Sequence, residues 1–143
     1  MRWLAAICVL VLAGCGGDRS ESLPAACTDG PTAIQKALAN APGAVSMNGT
    51  PISHCFNRGA RAEDVQIVGS FLLAAAQELG DRARAGDQQA ALRLGYLVGA
   101  AQRGAKRNGL GDEIVRRLEA ETSGLDRTRT AYEQGLRAGS AKG

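Results

Sequence analysis

Aromatic side chains are nearly missing from this sequence: two Phe, two Tyr and one Trp stand among 143 residues. Single-stranded nucleic acids are held largely by stacking on such rings, and duplexes by a marked cationic excess. With 17 Lys+Arg against 14 Asp+Glu the formal charge is only +3, so no nucleic acid partner is expected. Histidine occurs once, at His54, which leaves little for acid–base chemistry or a zinc site. No apolar run approaches the ~20 residues of a membrane-spanning helix; the stretch from Trp3 to Ala13 is eleven residues long. Large aliphatics are sparse as well, because 26 alanines supply much of the 45% hydrophobic fraction. What remains is an Ala-rich chain with 19 glycines, long enough for one small domain.

The N-terminal run follows Arg2 and has the length of the apolar region of a secretory signal. It leads into Leu12-Ala13-Gly14-Cys15. A basic start, a run of this length and small residues before a cysteine resemble the lipobox of bacterial lipoprotein precursors, over residues 1–15 alone. The resemblance implies that the Cys15 thiol is diacylglycerated with palmitate-type chains. A type II signal peptidase would cut before Cys15, and the new amino terminus would accept a further acyl group. The implied division is a signal peptide over 1–14, a lipidated Cys15 with a flexible tether over 15–26, and a single helical domain over 27–143. An ordinary secretory signal, cut after a later small residue, is the alternative. Buried methylenes contribute ~0.8 kcal/mol each, and two or more chains make attachment stable. The membrane is therefore the first expected partner, from the extracytoplasmic side. Gly16 beside the lipid site resembles an outer-membrane signal in a two-membrane bacterium; in a one-membrane bacterium the cell membrane is the destination.

Loss of residues 1–14 removes Cys8, and Cys15 carries lipid. Cys27 and Cys55 remain. A translocated chain folds in an oxidising space, so this pair reads as a disulfide, with two free thiols as the alternative. Closing a loop of ~29 residues stabilises by ~3.5 kcal/mol on the chain-entropy argument. Residues 16–26, Gly-Gly-Asp-Arg-Ser-Glu-Ser-Leu-Pro-Ala-Ala, are polar and breaker-rich. Such a tether reaches ~18 Å r.m.s..

Hydrophobic periodicity predicts an all-α fold: a small bundle of four main helices, preceded by a short helix and a disulfide-linked loop or hairpin. Thr28-Asp29-Gly30-Pro31 opens the short helix, with Thr28 or Asp29 as cap and Pro31 in the first turn. Ile34, Ala37, Leu38 and Ala41 give its buried side, and Pro42-Gly43 ends it. Asn48-Gly49 signals a type I′ turn between Val45/Met47 and Ile52/His54. A hairpin and an irregular loop are both open there. The next helix runs over about 62–85, with Val65, Val68, Leu72, Leu79 and Ala83 on one stripe. Ile67, Phe71 and Ala74 form a second stripe, which makes this helix central. Another follows Asp87 as N-cap over about 88–107, burying Ala90, Leu94, Leu97, Ala101 and Ala105, and stopping at Asn108-Gly109. A fourth spans about 112–122, with Ile114, Val115 and Leu118 inward. The last is capped by Asp126, turns Ala131, Tyr132 and Leu136 inward, and frays from Ala138.

Candidate chemistry is thin. His54 adjoins Cys55, the pairing of a base and a nucleophile, but neighbours in an extended segment face opposite ways and Cys55 has a partner in Cys27. Gly95-Tyr-Leu-Val-Gly99 has small residues four apart, flanked by Arg93 and Arg103. In a membrane helix that pattern marks a dimer face; here it predicts close helix–helix approach within the bundle, with dimerisation as the alternative. Glu63-Asp64 and Asp112-Glu113 sit at helix starts, where negative charge suits the macrodipole; Glu119/Glu121 is a third acidic pair. Arg103, Lys106, Arg107, Arg116 and Arg117 make a basic cluster. Residues 81–143 carry net +4 and residues 15–80 net −2, so the basic half can lean on anionic headgroups, although a solvated face is the commoner meaning. No catalytic set, cofactor site or metal site is expected. The expected function is a membrane-anchored, non-catalytic interaction module with an envelope protein as partner. The alternative is a small-ligand or lipid-binding bundle with a cavity between its second and third helices.

Overall fold

Five α-helices form where apolar residues recur at three- and four-residue spacing, in a computed structural model that describes residues 22–56, 60–105 and 109–143. A 3₁₀ turn, Ala25–Thr28, comes first. Thr28 donates its hydroxyl back onto the Ala25 carbonyl at 2.8 Å, and neither it nor Asp29 caps the next helix. Gly30, at φ 89°, takes the cap position of α1 (Pro31–Leu38). Ile34, Ala37 and Leu38 are buried as their spacing predicts, and Ala41 beyond the helix is buried too.

The hairpin is present but short. Strand β1 (Ser46–Met47) pairs antiparallel with β2 (Thr50–Pro51), Met47 opposite Thr50. Asn48 and Gly49 both adopt positive φ, 47° and 82°, as a type I′ turn demands. The second arm does not continue through Ile52 and His54. A second 3₁₀ turn, Ile52–Phe56, replaces it and buries Ile52, Ser53, Cys55 and Phe56 together. A strand would alternate its faces and could not bury that set.

Helix α2 (Ala62–Arg84) buries the predicted stripe of Val65, Val68, Leu72, Leu79 and Ala83. Its second stripe is not internal: Ile67 is 48% exposed, Ala74 is exposed and Phe71 half-buried. The central helix is instead α3 (Gln88–Ala105), buried from Ala90 to Ala101 at every position except Arg93. Asp87 caps it as expected, accepting the Ala90 amide at 3.0 Å. Asn108 lies outside the described residues, and Gly109 begins α4 (Gly109–Ala120) rather than closing α3. Helix α4 buries Ile114 and Leu118, with Val115 half-buried. Helix α5 (Arg129–Lys142) starts after Thr128, not Asp126. Thr128 is fully buried and bonds the Ala83 carbonyl at 3.2 Å, which sets the start of the helix against the end of α2. Ala131, Tyr132 and Leu136 pack partly buried against the core. The tail does not fray: α5 stays helical to Lys142, and Gly143 is buried.

Four glycines explain that order. A Cβ at Gly95 would strike the Tyr132 carbonyl, and one at Gly99 the Leu136 carbonyl. Reciprocally, Gly135 faces the Leu92 carbonyl and Gly139 the Tyr96 carbonyl. Helices α3 and α5 therefore run parallel with their backbones in contact. Each helical glycine costs ~1 kcal/mol against alanine, a cost offset by dispersion and Cα–H···O contacts along the seam. The close approach predicted for Gly95 and Gly99 is what forms. Antiparallel to α3 lies α2, and α4 runs beside α2 in the same direction, Ile114 against Gly69 and Glu121 against Gly80.

Candidate functional site

Cys27 and Cys55 are joined, with Cα atoms 5.6 Å apart, and both are buried. The bond ties the first 3₁₀ turn to the second. His54 points outward from the same turn and is exposed. The Cys55 sulphur is thus oxidised and enclosed while the imidazole is in solvent, and the two do not form a nucleophile–base pair. Cys15, the predicted lipid site, lies outside the described residues.

Of the paired acids, Glu63, Asp64, Glu113, Glu119 and Glu121 have ion-pair or hydrogen-bond partners, and Asp112 is exposed. Asp64 meets Arg61 at 3.0 Å, with Glu63 nearby at 3.9 Å. Glu113 accepts from Arg117 at 2.7 Å and from Arg116; the Arg117 hydrogen bond, followed by the charges of both arginines, holds its carboxyl below the usual range. Glu119 accepts from Gln102 at 2.8 Å, and Glu121 lies 3.9 Å from Arg84. The Asp87 carboxyl is lowered by the Ala90 amide first and Arg82 second. Burial raises the Tyr132 phenol. Among the described residues no three of His, Cys, Asp and Glu gather closely enough to hold a metal ion.

Two features stand out from this background. The first is a groove of about 280 Å³ between α2 and α4, lined by Val65, Gly69 and Leu73 on one side and Leu110 and Ile114 on the other, with Glu113 and Arg117 also present. It is displaced from the expected position between α2 and α3. Leu72, Ala75 and Ala76 of α2 are fully buried in the one core cluster that also takes in α3. The second is the gathering of chain ends at one pole. The Ser53 hydroxyl donates to the Gly143 carbonyl at 2.6 Å. Gly104 sits against the Ser53 carbonyl, and Gly111 against Ala105. Through the Cys27–Cys55 bond, the start of the body joins this pole, together with the ends of α3 and α5 and the starts of α2 and α4. Arg103 donates there to the Ser140 carbonyl at 3.3 Å and to that of Ala141. Lys142 reaches the Pro42 carbonyl at 3.4 Å. Lys106 and Arg107 lie outside the described residues.

The second half of the glycine seam was missed from the sequence, although Gly135-Leu-Arg-Ala-Gly139 repeats the spacing of Gly95 and Gly99. The signal was the recurrence of that spacing on a second helix. Among the described residues no helix is long and apolar enough to cross a membrane. No protein-family model, no curated protein and no solved structure matches this chain.

Proposed function

We propose that this chain is an extracytoplasmic bacterial lipoprotein, held to a membrane through acylated Cys15, whose helical body is a non-catalytic interaction module for an envelope protein. The observation that carries the reading is Leu12-Ala13-Gly14-Cys15 at the end of an eleven-residue apolar run that follows Arg2. The Cys27–Cys55 bond supports it, because such bonds persist in oxidising compartments. Exposed His54 and the paired acids support a body without acid–base machinery. Fatty-acid labelling of cells making the wild type and Cys15→Ala tests the anchor. Label and processing are expected in the wild type alone; equal labelling of the variant overturns the reading.

The groove between α2 and α4 favours a second reading, a bundle that binds a small apolar ligand or lipid. A lipid extract bound by the wild type and lost on Leu73→Arg supports it; binding unchanged by that substitution removes the groove from consideration.

A further inference from the structure

At the pole where the chain ends gather, two cations are held by carbonyl oxygens, beside three that meet carboxylates as those of the opposite pole do. At the far pole arginines meet carboxylates: Arg82 with Asp87 at 2.6 Å, Arg84 with Asp81 at 2.6 Å, and Arg129 with Asp126 at 3.7 Å. At the near pole Arg103 and Lys142 hydrogen-bond carbonyl oxygens at the end of α5 and at Pro42. Both side chains are exposed, and each keeps further N–H donors for a partner outside. The neighbouring acids Glu63, Asp64 and Glu113 are occupied by Arg61, Arg116 and Arg117, while Asp112 is exposed. Leu110, in the first turn of α4 at this pole, is 42% exposed.

The tether supplies the direction. Described structure begins at Ser22, five residues before disulfide-bonded Cys27, so the link to Cys15 starts at most ~18 Å from the bond that joins this pole. The seven Cα–Cα steps from Cys15 to Ser22 span at most ~25 Å when fully extended. The pole is thereby held close to any surface carrying the acyl chains, where an ~8 Å Debye length still lets cations sense anionic headgroups.

We propose that this pole is a docking face for an anionic lipid surface, with Arg103 and Lys142 against the phosphates and Leu110 entering the interface. The proposal rests on the anchor reading, and its test separates the two. The mature chain has no tryptophan, because Trp3 is the only one in the sequence. A single Trp at Leu110→Trp therefore reports its surroundings without background, and Ala120→Trp, exposed at the far end of α4, is the control. Each purified lipidated protein is first weighed for acylation of Cys15. It is then reconstituted into vesicles of brominated phosphatidylcholine with or without phosphatidylglycerol. Blue-shifted emission and quenching several-fold above that of Ala120→Trp, present with phosphatidylglycerol and reduced by salt, is the expected result. Asp112→Trp, in the same exposed turn, should repeat it. Equal quenching of the two ends, water-like emission from Leu110→Trp, or quenching independent of phosphatidylglycerol overturns the docking face while the anchor stands. Protein recovered without acyl groups on Cys15 overturns both.

Discussion

The Ser53 hydroxyl and the Gly143 carbonyl, ninety residues apart in sequence, meet at 2.6 Å in a buried hydrogen bond. The bond fastens the last residue of the sequence to the turn that also holds Cys55, so the disulfide, the second 3₁₀ turn and the end of α5 form one continuous unit. Order at the end of α5 and order at the start of the body are coupled through it.

The glycine seam predicts a graded response to added methyl groups. Gly135→Ala and Gly95→Ala drive a Cβ into a backbone carbonyl and should cost ~3 kcal/mol or more, at or above the usual range for overpacking. Gly109→Ala, whose Cβ would meet open space, should stay within ~0.5 kcal/mol of wild type. Urea denaturation of the three variants checks the order; equal stability would mean that α3 and α5 are not in backbone contact.

Reduction should weaken the fold by the closure entropy of the loop it frees. Cys27 and Cys55 are 28 residues apart, and Cys27→Ser/Cys55→Ser should lose ~3–4 kcal/mol by the chain-entropy argument. Because both sulphurs are buried, a mild reductant should open the native bond slowly, and denaturant should accelerate the loss. Thiol titration with and without urea measures both effects.

Asp87 links the fold to acid. Its carboxyl is held below the ordinary aspartate range by the Ala90 amide and Arg82, so the folded state binds that proton less readily than the unfolded chain. The resulting stabilisation is complete above about pH 4 and fades as pH falls through the lower folded value. Asp87→Ala should cost ~1 kcal/mol at neutral pH, the usual worth of an N-cap. The difference from wild type should shrink below pH 4; a difference unchanged down to the acid limit would assign the effect to something other than the ionised cap.

The helices were legible because their stripes are periodic: Val65, Val68, Leu72 and Leu79 announce α2 without any help from its neighbours. The disulfide was legible by elimination, once Cys8 was read as part of the leader and Cys15 as the lipid site. What the pattern could not display was which helix is central. Stripe arguments count apolar side chains, and Ile67 and Phe71 count in favour of α2. The enclosed helix is α3 because Gly95 and Gly99 admit another backbone, and glycine adds nothing to an apolar stripe. The same blindness hid the docked end of α5, whose small polar residues resemble a frayed tail. Periodicity also gave no sign of the groove, which arises from the distance between α2 and α4 and not from either helix alone.

The sharpest local test sets two adjacent residues against each other. Ser53 is buried and holds the Gly143 carbonyl; His54 is exposed on the outside of the same turn. Removing the serine hydroxyl leaves a buried acceptor without its donor, at ~1–3 kcal/mol, and should release the end of α5 first. Amide exchange should then quicken at Ala141 to Gly143 in Ser53→Ala before the rest of the bundle responds. His54→Ala removes a solvated ring and should leave the melting temperature within a few degrees and the exchange pattern unchanged. A cellular phenotype of the wild type should survive it as well. The reverse outcome, a stable Ser53→Ala and a folded but inactive His54→Ala, would make the turn a functional site and would refute the reading of His54 as surface decoration on a disulfide-braced turn.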